Sequence, residues 1–324
     1  MLEPTQQHVF RDKMIGVALG GVSAERAISL KTGRALAEAL RSLGYEVCEY
    51  DIATDLGRLA AEAPAAMVLG VHGGIGENGV LQGYLEALKI PYTGSGPLAS
   101  ALAMDKARAK AVMAACGTSV ALGLRLGVRS VTSAADLKAR LDEAGLDLPL
   151  VIKLNDGGSS LGVYICQDLE QAYTAVSTLE PELGHAASSG ILVESYLDGP
   201  EYSIGYSNEV FLGAIEIVPG EAFYDFAAKY ESKQTDYRFV EEPSLLARLE
   251  RIGRTAYDAL GCRGVARVDV KARGASELFV LEINTIPGMT ETSLVPKLAA
   301  RKGMSFAQFA EWMLDSASCE MATL

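Results

Sequence analysis

The first third of the chain alternates short apolar runs with helical periodicity, and this limits the possible architectures more than any other feature. MIGVAL (14–19), YEVCEY (45–50) and AAMVLGV (65–71) have the length and composition of strands, separated by a helical pattern over Ala24–Leu43 and by a shorter one. Strands joined by helices pair in parallel and lie under those helices, so residues 1–95 are expected to form a helix-covered parallel sheet. IPYTG (90–94) and one long helical pattern, SGPLASALAMDKARAKAVMAAC (95–116), put a boundary near Gly96. A second unit, 96–189, runs through VALGLRL, SAADLKARLDEA, PLVIKL, the loop NDGGSSLGV and the helix DLEQAYTAVSTLE. A third, 190–324, opens with ILVESYL and holds EYSIGYS, VFLGAIEIV, a Tyr-rich loop from about Gly220 to Glu242, a helix to Leu260, and the strands GVARVDVKA and ELFVLEIN. The short connections in this last unit favour antiparallel hairpins. The expected class is therefore α/β followed by α+β.

Composition narrows the function. With 29 basic against 41 acidic side chains the formal net charge is -12, a field that repels nucleic acid and anionic membrane surfaces, so neither is expected as a partner. The five cysteines are scattered without C-x-x-C spacing, which argues against a disulfide framework or a zinc site and for a reducing cytoplasm. No apolar leader and no bilayer-length apolar run is visible, so neither export nor anchoring is expected.

VHGGIGENGV (71–80) contains Gly74-x-Gly76-x-x-Gly79, a nominal dinucleotide fingerprint. The acidic residue that a nicotinamide site needs about 20 positions later is missing, since that position falls in PYTGSG, and Glu77 inside the turn would face the pyrophosphate. GSGPLA (94–99) is a second false match. Both turns read better as tight connections bordering another site.

The sharpest chemistry lies in RVDV and LEIN. Side chains alternate along a strand, so Arg267 and Asp269 share one face, and Glu282 and Asn284 share one face of the neighbouring strand. Two carboxylates and an amide suit Mg²⁺, and Arg267 could stabilise a transferring phosphoryl group. The plainer reading is an ion pair across a hairpin, but the apolar flanks make buried carboxylates without a metal or partner costly and favour the metal. Lys153 ends a strand and points at NDGGSSLG, which is a phosphate nest or simply a hairpin turn. Lys106 reads by default as a solvated helix lysine, and His72 as a structural histidine. Ser23 is a plausible helix N-cap; Glu25 is either a first-turn carboxylate or a partner for an ammonium ion.

Taken together, GGVSAERAISL, HGGIGENGVLQGYLE, IPYTGSG, SALAMDK, VIK…GSSLGV, ESYLDGPEYS, FYDFAAKY, GCRGVARVDV and LEINTIPGMTETSLVP resemble, in order and over nearly the whole chain, the bacterial D-alanine:D-alanine ligases of the ATP-grasp superfamily. That resemblance implies an ATP-grasp fold with a Rossmann-like N-terminal sheet and two α+β subdomains that sandwich ATP. It implies ligation of two D-alanine molecules through an acyl phosphate, for peptidoglycan precursor synthesis, by a cytoplasmic homodimer. Asp269, Glu282 and Asn284 would hold two Mg²⁺ ions, for which Mn²⁺ would substitute. Lys106, Lys153 and Lys229 would contact the phosphates. Glu194, Ser195 and Leu197 would lie along adenine, with Ser195 standing where lysine is frequent, and Glu201 would take the ribose. Arg267 and the Gly288 N–H would stabilise the oxyanion. Glu25, Ser159 and Tyr230 would close the site, with Tyr230 carried by the Tyr-rich loop as a lid. His72 would border the first substrate, and Ser293 and Leu294 the second. D-serine and D-lactate are the alternative second substrates.

Overall fold

In the computed structural model, which describes residues 8–158, 162–183, 190–218 and 235–320, the strand Met14–Leu19 (β1) is buried over its last five residues. It pairs in parallel with Glu46–Asp51 (β2) on one side and Ala66–Leu69 (β3) on the other, as a sheet joined by helices requires. The helices are Arg26–Ser42 (α1), Leu56–Glu62 (α2) and Val80–Leu88 (α3). A parallel bridge from Met67 to Tyr92 extends the sheet into IPYTG.

The single long helix expected over 95–116 is instead two, Pro97–Met104 (α4) and Lys106–Ala115 (α5). Asp105 breaks it, with an extended backbone (φ -89°, ψ 92°) and a carboxylate that accepts the Arg108 N–H at 3.1 Å. Aspartate competes with helix geometry through this kind of local bond and caps a new helix better than it continues an old one. Lys106 thereby becomes the first residue of a helix.

Gly123–Leu126 (β4), Leu150–Leu154 (β5), Tyr164–Cys166 (β6) and Ile191–Ser195 (β7) form an antiparallel sheet in the order β4-β7-β5-β6, covered by Ala134–Ala144 (α6) and Leu169–Leu179 (α7). Its core gathers Leu137, Leu141, Leu150, Ile152, Val176 and Val193, each contributing about 1.5–3 kcal/mol by leaving water. ILVESYL, expected to open the last unit, pairs here with β4 and β5. Non-sequential neighbours of this kind leave no local trace in the chain.

The last sheet is antiparallel throughout, as the short connections implied. Glu201–Ser207 (β8), Val210–Val218 (β9), Asp236–Phe239 (β10), Ala266–Arg273 (β11) and Glu277–Asn284 (β12) lie in the order β10-β9-β8-β11-β12. Pro243–Ala259 (α8) covers one face. β10 falls inside the stretch expected to be loop; Tyr237 and Phe239 turn inward and Asp236 and Arg238 outward, a four-residue alternation too brief to register beside its polar neighbours. The final helices, Leu294–Arg301 (α9) and Phe306–Asp315 (α10), return to the first unit, where Phe309 and Met313 share a core with Ile15, Val17 and Leu36. Among the described residues no helix is long and apolar enough to cross a membrane.

Candidate active site

β11 and β12 bring the four polar groups together through an irregularity. Asp269 lies across from Glu282 and Arg267 from Asn284, but Val270 pairs with Val280, so the ladder slips one residue between Asp269 and Val270. Without this bulge Leu281 would face Asp269. The bulge re-aims Glu282 and Asn284 toward the cleft.

Asp269 is 6% exposed and fully engaged. Arg267 grips it with two prongs, Nε to Oδ1 at 2.9 Å and Nη2 to Oδ2 at 2.8 Å. Ser203 Oγ on β8 donates to Oδ1 at 2.5 Å, and the Asn284 amide donates to Oδ2 at 3.0 Å. Glu282 faces Lys106 Nζ at 3.3 Å. The same ammonium donates to the Gly157 carbonyl at 2.5 Å, so the α4–α5 break ties β12 to the glycine loop.

A second cluster sits on the middle sheet. Glu194 pairs across the ladder with Val151, so its side chain shares a face with Lys153 two residues on. Lys153 Nζ lies 2.7 Å from Glu194 Oε2, and Lys110, one helical turn beyond Lys106, ion-pairs with Oε1. Burial alone would raise the Glu194 carboxyl, but the two ammonium groups outweigh it and hold the group below its ordinary range. Burial pushes Lys110 down to about 8 against the pull of Glu194. Lys110 was not singled out in the sequence; its signal was the four-residue spacing from Lys106 on an otherwise apolar face. Ser195 donates its N–H to the Leu122 carbonyl, Leu197 is buried at 2% exposed, and Glu201 faces Lys271 across the ladder at 3.4 Å.

The third cluster borders the first strand-to-helix turn. Helix α1 starts at Arg26, and Ser23 does not cap it: its hydroxyl donates to the His72 carbonyl at 2.8 Å and accepts the Glu25 N–H at 3.3 Å. Glu25 is held between two glycines of different units, its Oε2 lying 2.8 Å from where a Cβ on Gly73 would stand and 2.9 Å from one on Gly158. Side chains at either position would collide with the carboxylate. His72 is buried, with Nδ1 against the Ile286 carbonyl at 3.0 Å and Nε2 against Thr32 Oγ1 at 2.9 Å, and burial lowers its pKa. Both ring nitrogens are thus committed to holding the Ile286 turn to α1. Ser293 stands at the N-cap of α9 but engages Thr290 instead, at 2.9 Å between hydroxyls. Two cavities of about 540 and 310 Å³ share Glu25, Glu77, Gly158, Glu282 and Asn284 as walls. Arg267, Gly288, Ser293 and Leu294 line the larger, and Lys106 and Gly157 the smaller. Ser159, Lys229 and Tyr230 lie outside the described residues.

Glu77, passed over in the sequence except as an obstacle to pyrophosphate, accepts the Gly73 N–H at 2.5 Å. Desolvation, reinforced by the Glu25 charge, pushes its carboxyl up to about 8 from 4.5. The folded protein therefore holds this proton more tightly than the unfolded chain, and the stability this lends is complete below about pH 4.5 and lost as pH rises to 8. Thermal melts should show Glu77→Gln gaining on the parent protein from pH 5 to 8 and levelling above; a constant difference would contradict the shift.

Comparison with known proteins identifies the family. The family model described as D-ala D-ala ligase C-terminus matches residues 128–315. A D-alanine–D-alanine ligase of Beijerinckia indica is 42% identical over 95% of this chain and 99% of its own length. The chain belongs to the D-alanine–D-alanine ligase family. Among solved structures of D-alanine–D-alanine ligases, that from Bacillus anthracis complexed with ATP superposes with a TM-score of 0.80 at 29% identity, covering 94% of this chain and 97% of that one. The VanG D-Ala:D-Ser ligase of Enterococcus faecalis gives 0.77 at 25% identity, covering 93% and 98%. This member of the ligase family accordingly has the ATP-grasp fold expected of it, with the parallel sheet first and the antiparallel sheets after.

Proposed function

We propose that this chain joins two D-alanine molecules into D-alanyl-D-alanine at the expense of ATP, through an acyl phosphate, in a cytoplasmic homodimer that feeds peptidoglycan precursor synthesis. The observation that carries this reading is the β11–β12 register, which sets Arg267, Asp269, Glu282 and Asn284 around a cleft shared with Lys106 and Glu25. It stands beside 40–42% identity to curated ligases of that name along 95% of the chain.

In this reading Lys106, Lys153 and Lys229 hold the triphosphate. Glu194, Ser195 and Leu197 meet adenine, and Glu201 accepts from the ribose hydroxyls. Glu25 takes the ammonium of the first D-alanine, with His72 fixing the wall behind it. The carboxylate of that substrate attacks the terminal phosphorus, the bond from that phosphorus to the bridging oxygen breaks as ADP leaves, and Arg267 offsets the negative charge that gathers on the phosphoryl oxygens. The amine of the second D-alanine, placed by Ser293 and Leu294, then adds to the acyl carbon. Arg267 and the Gly288 N–H stabilise the tetrahedral oxyanion before phosphate departs. Ser159 and Tyr230 close the site with Glu25 against water, to which an acyl phosphate would be lost.

Two opposed carboxylates and an amide carbonyl form a hard oxygen set that fits Mg²⁺, which keeps its remaining positions for water and phosphate. Among the described residues no group of three or more of His, Cys, Asp and Glu is placed to hold a metal ion. Asp269, Glu282 and Asn284 would hold two such ions, which when bound would neutralise phosphate charge.

Purified protein with ATP and Mg²⁺ should release phosphate only when D-alanine is added, with the dipeptide identified by mass spectrometry. Release independent of D-alanine, or faster with D-serine or D-lactate as second substrate, would overturn the assignment.

A further inference from the structure

Glu194, read above as an adenine contact, has one ammonium on each carboxylate oxygen: Lys110 on Oε1, and Lys153 on Oε2 at 2.7 Å. Only Lys153 has a place in that reading. Lys110 is 5% exposed and reaches Glu194 from α5 rather than from the sheet. A buried ion pair adds little net stability over a well-packed apolar side chain of similar size, so a methionine would serve the fold as well as this lysine. The geometry gives it another use. Val193 packs into the core under α6 and α7, so its neighbour Glu194 faces the other side of the sheet, where α5 contacts both β4 and β12. Gly123, opposite Glu194 on β4, leaves room for the glutamate stem: a Cβ there would stand 3.2 Å from Cγ. With its two oxygens held from two different elements, the carboxylate plane is fixed.

We propose that Lys110 is the positioning residue for the purine base: by holding Glu194 in one orientation as an anion, it makes the site accept a 6-amino purine and reject a 6-oxo purine. This rests on the ATP-dependent reading above. The selection follows from hydrogen-bond polarity. Adenine carries an N6 amine, a donor, where a 6-oxo purine carries an O6 acceptor. An ionised carboxylate only accepts, so it takes the N6 hydrogen and turns O6 away. A protonated carboxyl would donate to O6, and the choice therefore lasts only while Glu194 keeps its charge. Burial alone would raise the Glu194 carboxyl, but the two ammonium groups outweigh it, Lys110 more than Lys153. In the ligase reading Lys153 also serves the phosphates, so its charge is shared with the nucleotide. Lys110, whose strongest attraction is to Glu194, then keeps the acceptor ionised beside the base.

Calorimetry with ATP and with ITP, which carries oxygen in place of the 6-amino group, reads the choice directly and does not require turnover. The parent protein should bind ATP about a hundredfold more tightly than ITP, because a site built to accept an N–H is left unpaired by the analogue that lacks it. Lys110→Met should weaken ATP about tenfold and leave ITP within about twofold, and Lys110→Arg should restore the parent ratio. In steady state the loss should fall on the KM for ATP rather than on kcat, as for an interaction made equally in the ground and transition states. Lys110→Met keeps the Lys153–Glu194 pair, and thermal melts establish that it is folded, with Lys110→Gln as a second neutral replacement. A merely structural lysine would act on both nucleotides alike. Neutral variants that weaken ATP and ITP by the same factor overturn the proposal, as does a parent protein indifferent between the two. The ligase reading fails separately, when phosphate release does not depend on D-alanine.

Discussion

Arg267→Ala should lower kcat by about a thousandfold or more, the scale on which a preorganised oxyanion partner acts, while ATP still binds. The guanidinium lies at the meeting of β11 and β12, 19% exposed and aimed by its two-pronged hold on Asp269. In the proposed mechanism it serves charge that exists only as the phosphoryl group transfers and the tetrahedral oxyanion forms, so its removal is expected to weaken the transition state far more than nucleotide binding. The proposed nucleotide contacts Lys153 and Glu194 belong to the other sheet and keep their ion pair. Steady-state phosphate release paired with calorimetric ATP binding checks both halves, and retained turnover would contradict the role. Arg267→Lys should fall between, because a point charge cannot reproduce the fork.

The largest effect on stability is expected at Glu194. Its carboxylate is 2% exposed and is the shared counter-ion of Lys110 and Lys153, whose side chains are 7% and 12% exposed. Glu194→Ala strands two ammonium groups in a desolvated site and should cost about 3–5 kcal/mol, as breaking a buried pair generally does. Adding Lys110→Met should recover part of this loss, since the sites share one interaction and their effects do not add. Urea melts measure both. A loss below about 1 kcal/mol, the scale of an exposed ion pair, would show that water reaches the cluster.

How much of the site could be read in advance differed from cluster to cluster. Arg267 and Asp269, and Glu282 and Asn284, were legible as two pairs because strand alternation needs only the identity of neighbours. That the two pairs converge was also expected from adjacent strands, but the register that sets them opposite each other, with a bulge that skips Leu281, was not legible. Lys106 looked like a solvated helix lysine because the break at Asp105 was hidden in a continuous helical pattern; the capping aspartate was its only signal. Ser23 looked like a helix cap, but the helix starts later, at Arg26 with Glu25 at the N-cap, and the Ser23 hydroxyl donates to the His72 carbonyl, 49 residues away in sequence.

By itself the sequence determined the layered architecture, the antiparallel character of the last sheet, the family and the chemical types at the site. The architecture and the chemical types follow from local periodicity and residue identity, which each segment carries alone, and the family follows from the resemblance of nine motifs taken together in order. Only the tertiary structure decided that β7 belongs to the middle sheet, that Glu194 neutralises two lysines, that Glu77 holds its proton toward pH 8, and that Lys106 rests on Glu282. Each of these depends on desolvation or on a partner brought from a distant segment. Burial and long-range pairing arise only once the chain has closed on itself.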